Sequence, residues 1–339
     1  MIIVLKPRIS RKEEQAVLKE IRKLGYTPHV MRGVARTVIG AIGDELTHAN
    51  LETLVSEFPR AVESVMPIQK RYKLVSREAH PANSTIRVRE HVIGGKKLHV
   101  MAGPCSVESE KQLLATAEAV KATGATFLRG GAFKPRTSPY EFQGLGEKGL
   151  KLLAKARKET GLPVITELLS ENHAEMVAEY TDIIQIGARN AQNFQLLIAA
   201  AKTGKPVLLK RGLSMKIEEW LLAGEYVLAN ENPNLLFCER GIRTFETYTR
   251  NTLDLSTIPI IKRESHCPIV IDPSQGAGRA DLVAAMCKGA VAMGADALLI
   301  EVHPNPAEAW SDGAQQVSFD MFAKLMQELK PFIAAAGRE

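Results

Sequence analysis

Aromatic side chains make up only 5% of the 339 residues, and no dense run of lysine or arginine occurs despite a net charge of +6. Nucleic-acid binding calls for a basic track interleaved with stacking platforms. The positive balance is therefore expected to serve small acidic molecules, with no nucleic-acid partner. Four cysteines (Cys105, Cys238, Cys267 and Cys287) are too sparse and irregular for a disulfide framework, and no Cys-x-x-Cys pair is present. No apolar run approaches the roughly 20 residues that span a bilayer, so no membrane partner is expected. The opening MIIVLKPR lacks a basic start, a long apolar core and a small-residue cleavage site, and a cytoplasmic location is the expectation. No Gly-x-Gly-x-x-Gly directly follows a strand candidate, which disfavours a doubly wound dinucleotide-binding sheet.

What is present is an ordinary globular composition, 45% hydrophobic and 24% charged. The length suits a barrel of roughly 250 residues plus a small extra domain. Residues 1–70 read as strand, helix, strand, strand, helix, strand. Ser10 and Glu13 form a capping-box start, and Ala16, Val17, Ile21 and Leu24 then recur at helical spacing. Strands are expected at 29–31 and 37–42 around an Arg32-Gly33 turn, a second helix through Leu51, Leu54, Val55 and Phe58, and a last strand over 62–68. That βαββαβ order is ferredoxin-like and carries no catalytic cluster. A regulatory or oligomerisation role is expected for it. Residues 71–97 are polar and turn-rich, with a small hairpin near 86–93, and read as a linker and a plug for a barrel floor.

From residue 98 to 339 the pattern changes to eight apolar strands alternating with amphipathic helices. The strands are expected at 98–102, 126–128, 164–166, 182–186, 207–209, 235–238, 269–271 and 297–302. Helices are expected at about 109–123, 147–160, 171–179, 192–203, 214–229, 246–254, 279–293 and 318–335. Several of the strands are apolar without alternation, as strands buried on both faces are. Eight successive β/α units imply a closed parallel (β/α)8 barrel, a TIM barrel.

The chemistry collects where those strands end. The stretch from Leu128 to Pro139, LRGGAFKPRTSP, carries Arg129, Lys134 and Arg136 on a loop stiffened by Pro135 and Pro139, with the hydroxyls of Thr137 and Ser138 beside them. Such a loop suits a small phosphorylated ligand. Other strands deliver Glu167, Arg189, Lys210 with Arg211, Glu239 with Arg240 and Arg243, and Glu301 with His303. Barrel enzymes keep their sites on this rim. Arg129, Lys134, Arg136, Arg189, Lys210 and Arg240 are expected to meet at one mouth with few carboxylates to neutralise them. Two phosphates and a carboxylate would balance that charge. Cys105, Glu301 and Asp312 offer a thiolate and carboxylates suited to a borderline divalent ion. His173 and His303 are further candidate ligands, whereas His266 precedes its strand and falls on the opposite face.

The motifs Ala102-Gly-Pro-Cys-Ser, Leu128-Arg-Gly-Gly, Lys134-Pro-Arg-Thr-Ser-Pro, Gln185-Ile-Gly-Ala-Arg-Asn, Cys238-Glu-Arg-Gly and Glu301-Val-His-Pro resemble those of the 3-deoxy-D-arabino-heptulosonate 7-phosphate (DAHP) synthases. The resemblance spans essentially the whole chain and is closest to the subfamily with an N-terminal ferredoxin-like domain. It implies an aldol-like condensation of phosphoenolpyruvate with erythrose 4-phosphate and water, at the entry to the shikimate pathway. Arg129, Lys134, Glu167, Ala188, Arg189, Lys210 and Arg240 would then bind phosphoenolpyruvate. Pro135, Arg136, Thr137, Ser138 and Asp312 would bind erythrose 4-phosphate. Lys134, Glu167 and Cys105 would take part in the chemistry, and the assembly would be a homotetramer. A divalent metal (Mn, Zn, Fe, Co or Cd) would be held by Cys105, Glu301, Asp312 and Gln275. Gln275 stands where the family carries a histidine, and a glutamine carbonyl is a weaker ligand than imidazole. His29 matches a position used for aromatic amino-acid sensing, but Met31 replaces a hydroxyl residue there, so feedback by tyrosine or phenylalanine is not expected. Two rival readings remain: the related synthase that uses arabinose 5-phosphate to make 3-deoxy-D-manno-octulosonate 8-phosphate, and a non-catalytic amino-acid-binding regulator.

Overall fold

A computed structural model of the chain describes residues 1–33, 36–43, 51–66 and 71–339. Two compact units separate: residues 1–83 with 263–266, and residues 84–262 with 267–339. In the first, the order is β1 (Ile2–Leu5), α1 (Arg11–Lys23), β2 (Thr27–Arg32), β3 (Thr37–Ile42), α2 (Leu54–Glu57) and β4 (Val62–Met66). The strands pair antiparallel as β2-β3-β1-β4. The anticipated capping box is present: the Ser10 Oγ accepts from the Glu13 N–H at 3.2 Å, and the Ser10 N–H donates to Glu13 Oε2 at 2.8 Å. The apolar face of α1, with Val17 and Ile21, joins Ile3, Leu5, Ile39, Leu54 and Val62 in a buried core. His29 and Met31 both lie on β2, opposite Gly40 and Val38. The expected last strand reaches 67–68, outside the described residues.

The second unit opens with a hairpin, β5 (Ile86–Val88) and β6 (His91–Ile93), and then runs through eight β/α units. Their strands are β7 (His99–Gly103), β8 (Phe127–Arg129), β9 (Val164–Leu168), β10 (Ile183–Ile186), β11 (Val207–Lys210), β12 (Leu235–Glu239), β13 (Ile269–Ile271) and β14 (Ala297–Glu301). All pair parallel, and β14 pairs β7, which closes the barrel. The helices are α3 (Glu110–Ala122), α4 (Glu147–Thr160), α5 (Ala174–Tyr180), α6 (Phe194–Lys202), α7 (Ile217–Ala229), α8 (Thr257–Glu264), α9 (Pro273–Ala277), α10 (Ala280–Ala292) and α11 (Phe319–Ala335). No helix among the described residues is long and apolar enough to cross a membrane.

One expected helix is absent. Residues 246–254 form a loop, and the helix of that unit starts later, at Thr257. Ile242 and Thr252 bond to each other through both backbone pairs at 2.9 Å, which pinches the intervening residues into a loop. The Asp254 carboxylate then accepts from the Ser256 and Thr257 hydroxyls and from Arg211, marking where α8 can begin. Local spacing could not reveal a pairing ten residues apart.

Ile86, Val88 and Ile93 of the hairpin are buried in one cluster with Met101, Phe127, Ile165 and Leu299 of the barrel. Beside them His99 is 1% exposed, with Nδ1 3.1 Å from Thr126 Oγ1 and Nε2 3.0 Å from the Val92 carbonyl. Burial pushes its pKa down to about 4. The unfolded chain takes up a proton at this residue near pH 6.5, where the native state refuses it. Stability is therefore fully present above that pH and declines as pH falls toward 4, by on the order of 3 kcal/mol for this residue. His99→Gln removes the titration, so urea unfolding followed from pH 7 to pH 4 is expected to show a shallower loss in the variant. Identical slopes would rule His99 out as a source of acid lability.

Candidate active site

The charged residues of the barrel strands stand at their C-terminal ends, last in four of them and next to last, as Glu167, in β9. Arg129, Lys210, Glu239 and Glu301 end β8, β11, β12 and β14, and each is matched in the parallel ladder: Arg129 with Ile165, Lys210 with Cys238, Glu239 with Ile271 and Glu301 with Gly103. A side chain rooted in a hydrogen-bonded ladder is held more rigidly than one on a loop. Gly103 allows the crowding this needs, since a Cβ there would lie 2.1 Å from the Arg129 carbonyl oxygen.

These ends surround one cavity of about 370 Å³. Arg129, Lys134, Arg189, Lys210 and Arg240 all line it, joined by Arg136, Arg243 and Arg250. Eight cationic side chains thus face three acidic ones, Glu141, Glu167 and Asp312. The expectation of few neutralising carboxylates holds for the lining but not for the shell behind it. Lys210 Nζ donates to Asp272 Oδ2 at 2.6 Å, and Arg129 Nη1 donates to Glu301 Oε1 at 3.0 Å and to the Pro104 carbonyl at 2.8 Å. Both acids are buried, because a cation this far from water needs a counter-charge even without ligand. Arg189 and Arg240 are less committed. Arg189 donates to the Pro135 carbonyl at 3.2 Å, and Arg240 to Gln275 Oε1 at 2.9 Å. Arg129 Nε is the buried side-chain nitrogen that has no hydrogen-bond partner among the described residues.

Pro135, Arg136 and Thr137 line the cavity, whereas Ser138 does not; its hydroxyl accepts from the Tyr140 N–H at 3.3 Å and stabilises the loop turn. Arg136 pairs with Glu141 at 2.7 Å. Glu167 and Ala188 also line the wall, and Glu167 Oε2 accepts from Gln185 Nε2 at 3.1 Å. Arg211, expected at the rim, is turned away into a buried pairing with Glu239 at 3.0 Å and Asp254 at 2.9 Å, beneath the loop that carries Arg240. Arg250 and Asn251 escaped the sequence reading because their segment reads as helix; the loop instead brings both to the cavity.

Cys105, Glu301 and Asp312 converge at one end, with their ligand atoms all within 4.8 Å of one another. A sulfur and two carboxylates around one point fit a borderline divalent ion. Asp312 reaches this place through a left-handed backbone, φ 50°. Burial works against its carboxylate, but Arg250 and Lys134 outweigh it and hold its pKa below the usual value. Burial pushes the Cys105 thiol up to about 11, so an ion binding there must displace a proton. Lys134 Nζ sits 3.0 Å from both the Cys105 sulfur and its carbonyl oxygen. Burial disfavours its ammonium, yet neighbouring negative charge keeps its pKa above the usual value, and it holds a proton at neutral pH.

Three expected ligands differ. His303 is turned to Glu108, with Nε2 3.2 Å from Oε2, while its Nδ1 accepts from the Asn305 N–H at 3.1 Å. Glu108 also accepts from the Trp310 N–H at 2.9 Å, so this pair braces the loop bearing Asp312. His173 stacks on Phe133 at 5.2 Å. Gln275 is adjacent to the cluster, but its carbonyl oxygen is taken by Arg240, and its Nε2 donates to Glu301 Oε1 at 3.2 Å and Asp312 Oδ2 at 3.1 Å.

Comparison with known proteins bears on this geometry. The profile of the DAHP synthetase I family matches residues 78–335, and that of the DAHP synthase ferredoxin-like domain matches residues 1–70. The chain is 49% identical to the phospho-2-dehydro-3-deoxyheptonate aldolase of Thermotoga maritima, over 99% of each chain. A crystal structure of the DAHP synthase from Thermotoga maritima superposes with a TM-score of 0.79 at 48% identity, covering 100% of this chain and 98% of that one. The 2-dehydro-3-deoxyphosphooctonate aldolase of Caulobacter vibrioides is 34% identical over 74% of this chain and 91% of its own.

Proposed function

The chain belongs to the DAHP synthetase I family, with a ferredoxin-like domain ahead of its barrel, and from that premise we propose how its residues divide the work. The reaction is the condensation of phosphoenolpyruvate with erythrose 4-phosphate and water to DAHP and inorganic phosphate, the first step of the shikimate pathway. One observation carries the assignment of residues: five cations on four strand ends and one rigid loop line a single cavity, and one of them, Arg129, keeps a buried N–H without a partner among the described residues. A buried donor without a partner is costly, and an anionic substrate oxygen would satisfy it.

Arg129, Lys134, Arg189, Lys210 and Arg240 hold the phosphate and carboxylate of phosphoenolpyruvate, against the wall formed by Ala188. Pro135, Arg136 and Thr137 position erythrose 4-phosphate, and Arg243 and Arg250 supply the positive charge nearest its phosphate. Ser138 acts through the shape of that loop. Cys105, Glu301 and Asp312 hold a divalent ion, which when bound supplies Lewis-acid polarisation of a carbonyl oxygen. Carbon 3 of phosphoenolpyruvate adds to the aldehyde carbon, and Lys134 gives its proton to the oxygen that becomes a hydroxyl. Water adds at carbon 2, oriented by Glu167; one of its protons restores the Lys134 ammonium and the other leaves with the phosphate as the carbon–oxygen bond breaks to give the keto acid. Holding both reactants in register accounts for most of the acceleration, since effective molarities of about 10⁵ M are available from positioning.

The first domain serves regulation or assembly, and the working form is a cytoplasmic homotetramer. Tyrosine and phenylalanine are expected to leave the rate unchanged, because Met31 packs its side chain against Ile2, Val4 and Val38 and offers no hydroxyl. The assignment is tested by phosphate release from phosphoenolpyruvate, with erythrose 4-phosphate and separately with arabinose 5-phosphate. Turnover only with the five-carbon sugar would sink it.

Gly187 gives a sharper check on Glu167. A Cβ there would sit 2.0 Å from Glu167 Oε1 and 2.8 Å from its Cδ. Gly187→Ala must therefore push the carboxylate aside, and a displacement of that size is worth about 10²-fold in turnover. Full turnover in a correctly folded Gly187→Ala enzyme would remove Glu167 from the mechanism.

A further inference from the structure

Gln275 lies on α9 at the end of β13, between the cavity's anion-binding side and the Cys105, Glu301 and Asp312 cluster. Its main chain is held from both directions: the N–H donates to Asp272 Oδ1 at 2.9 Å, and the carbonyl accepts from Asn251 Nδ2 at 2.9 Å. Its amide is fully engaged as well. Oε1 accepts from Arg240 Nη2 at 2.9 Å, and the two hydrogens on Nε2 go to Glu301 Oε1 at 3.2 Å and Asp312 Oδ2 at 3.1 Å. The orientation is dictated by charge. Turned over, the amide would set its oxygen against two carboxylates and its NH2 against a guanidinium, losing all three bonds.

A glutamine can ligate a metal through its oxygen, and here that oxygen faces the wrong way. We infer that Gln275 is not a metal ligand but a hydrogen-bonded tie between Arg240 and the two carboxylates, so that an ion in the cluster has three protein ligands and competes with an amide N–H for their oxygens. This rests on the reading of the cluster as an ion site. Every donor the amide gives to Glu301 and Asp312 occupies a lone pair that an ion would use. To accommodate the ion, the NH2 must withdraw from a cation, and the bond to Arg240 is strained or broken in the same motion. The ion and the anion-binding arginine therefore draw on one side chain, which an imidazole at this position would not force.

The two descriptions of Gln275 predict opposite results when its side chain is removed. The measurement is calorimetric titration of Mn²⁺ into the chelator-stripped full-length enzyme and into Gln275→Ala and Gln275→His, each first shown to be folded by circular dichroism. As a tie, Gln275→Ala binds Mn²⁺ at least as tightly as the unchanged protein, and Gln275→His, which supplies the missing ligand, binds about tenfold or more tighter. Weaker binding by Gln275→Ala overturns the inference, because the glutamine oxygen would then be a ligand. A histidine variant no tighter than the unchanged protein overturns it too, since position 275 would not be short of a ligand. Glu301→Ala distinguishes loss of the ion site from loss of the tie. If it binds Mn²⁺ as the unchanged protein does, the cluster is not the ion site, and both the site assignment and the tie fall.

Discussion

Replacing Lys134 with methionine is expected to lower kcat by about 10³-fold, within the range that removal of a positioned general acid produces. Lys134 is 9% exposed, and its Nζ is fixed by two contacts at 3.0 Å, to the sulfur and the carbonyl oxygen of Cys105. Its own main chain is anchored by an N–H donated to the Gln143 carbonyl at 2.9 Å. The ammonium is thus presented to the cavity at the junction of the two proposed substrate positions and beside the proposed ion. Methionine keeps most of the aliphatic stem, so packing changes little. What disappears is the proton and the charge. The KM for phosphoenolpyruvate is expected to rise as well, because the same cation is proposed to help hold it, but the larger effect falls on kcat if Lys134 delivers a proton during reaction. A variant whose kcat stays within about tenfold of the unchanged enzyme would reduce Lys134 to a binding residue. Steady-state phosphate release, with each substrate varied in turn, distinguishes the outcomes.

Arg129→Met carries the largest combined cost. Arg129 is 5% exposed and Glu301 is 1% exposed, and the two are joined at 3.0 Å. Removing one partner of a buried pair leaves the other as an uncompensated charge, at a cost of about 3 to 5 kcal/mol. Glu301 retains hydrogen bonds from Gln315 Nε2 at 2.7 Å and Gln275 Nε2 at 3.2 Å, which places the expected loss at the lower end. Substrate binding suffers independently, because the unpaired Nε–H goes with the guanidinium. The KM for phosphoenolpyruvate is expected to rise by about 10²-fold, as for other truncated charge pairs. A second substitution separates the two effects. Glu301→Gln in the Arg129→Met background removes the orphaned charge and should return much of the lost stability in urea unfolding, yet it cannot restore the hold on substrate. The coupling term of that double-mutant cycle measures the pair itself. If Arg129→Met unfolds at the same urea concentration as the unchanged protein, Glu301 does not depend on this arginine.

Much of the architecture is legible in the residues alone. The alternation of unbroken apolar runs with amphipathic stretches leaves only a barrel or a doubly wound sheet, and eight repeats favour closure. The candidate site's rim was legible for a related reason. An apolar run that stops abruptly at Arg129, Lys210, Glu239 or Glu301 must stop where the strand leaves the core, and in a parallel barrel those ends share one rim. Seven of the eight helices were placed within a few residues of their observed bounds, because each repeats its apolar face over two or more turns. The helix expected at 246–254 failed for want of such a pattern.

What the chain alone could not say concerns partners distant in sequence. Nothing local to Lys210 points to Asp272, 62 residues away, or joins Arg129 to Glu301 across 172. Arg250 reaches the cavity only because a loop closes between Ile242 and Thr252, and His303 turns from the Cys105, Glu301 and Asp312 cluster to Glu108 only because the two loops lie side by side. The residue type at position 275 was plain from the start, but the direction its amide faces was not. That depends on a guanidinium from the loop after β12 on one side and carboxylates from β14 and the loop after it on the other. Sequence determined which groups stand at the rim, since burial periodicity is a local property. Tertiary structure alone decided which of them neutralise one another and which remain for a ligand, since Coulomb interactions depend on distances that only folding sets.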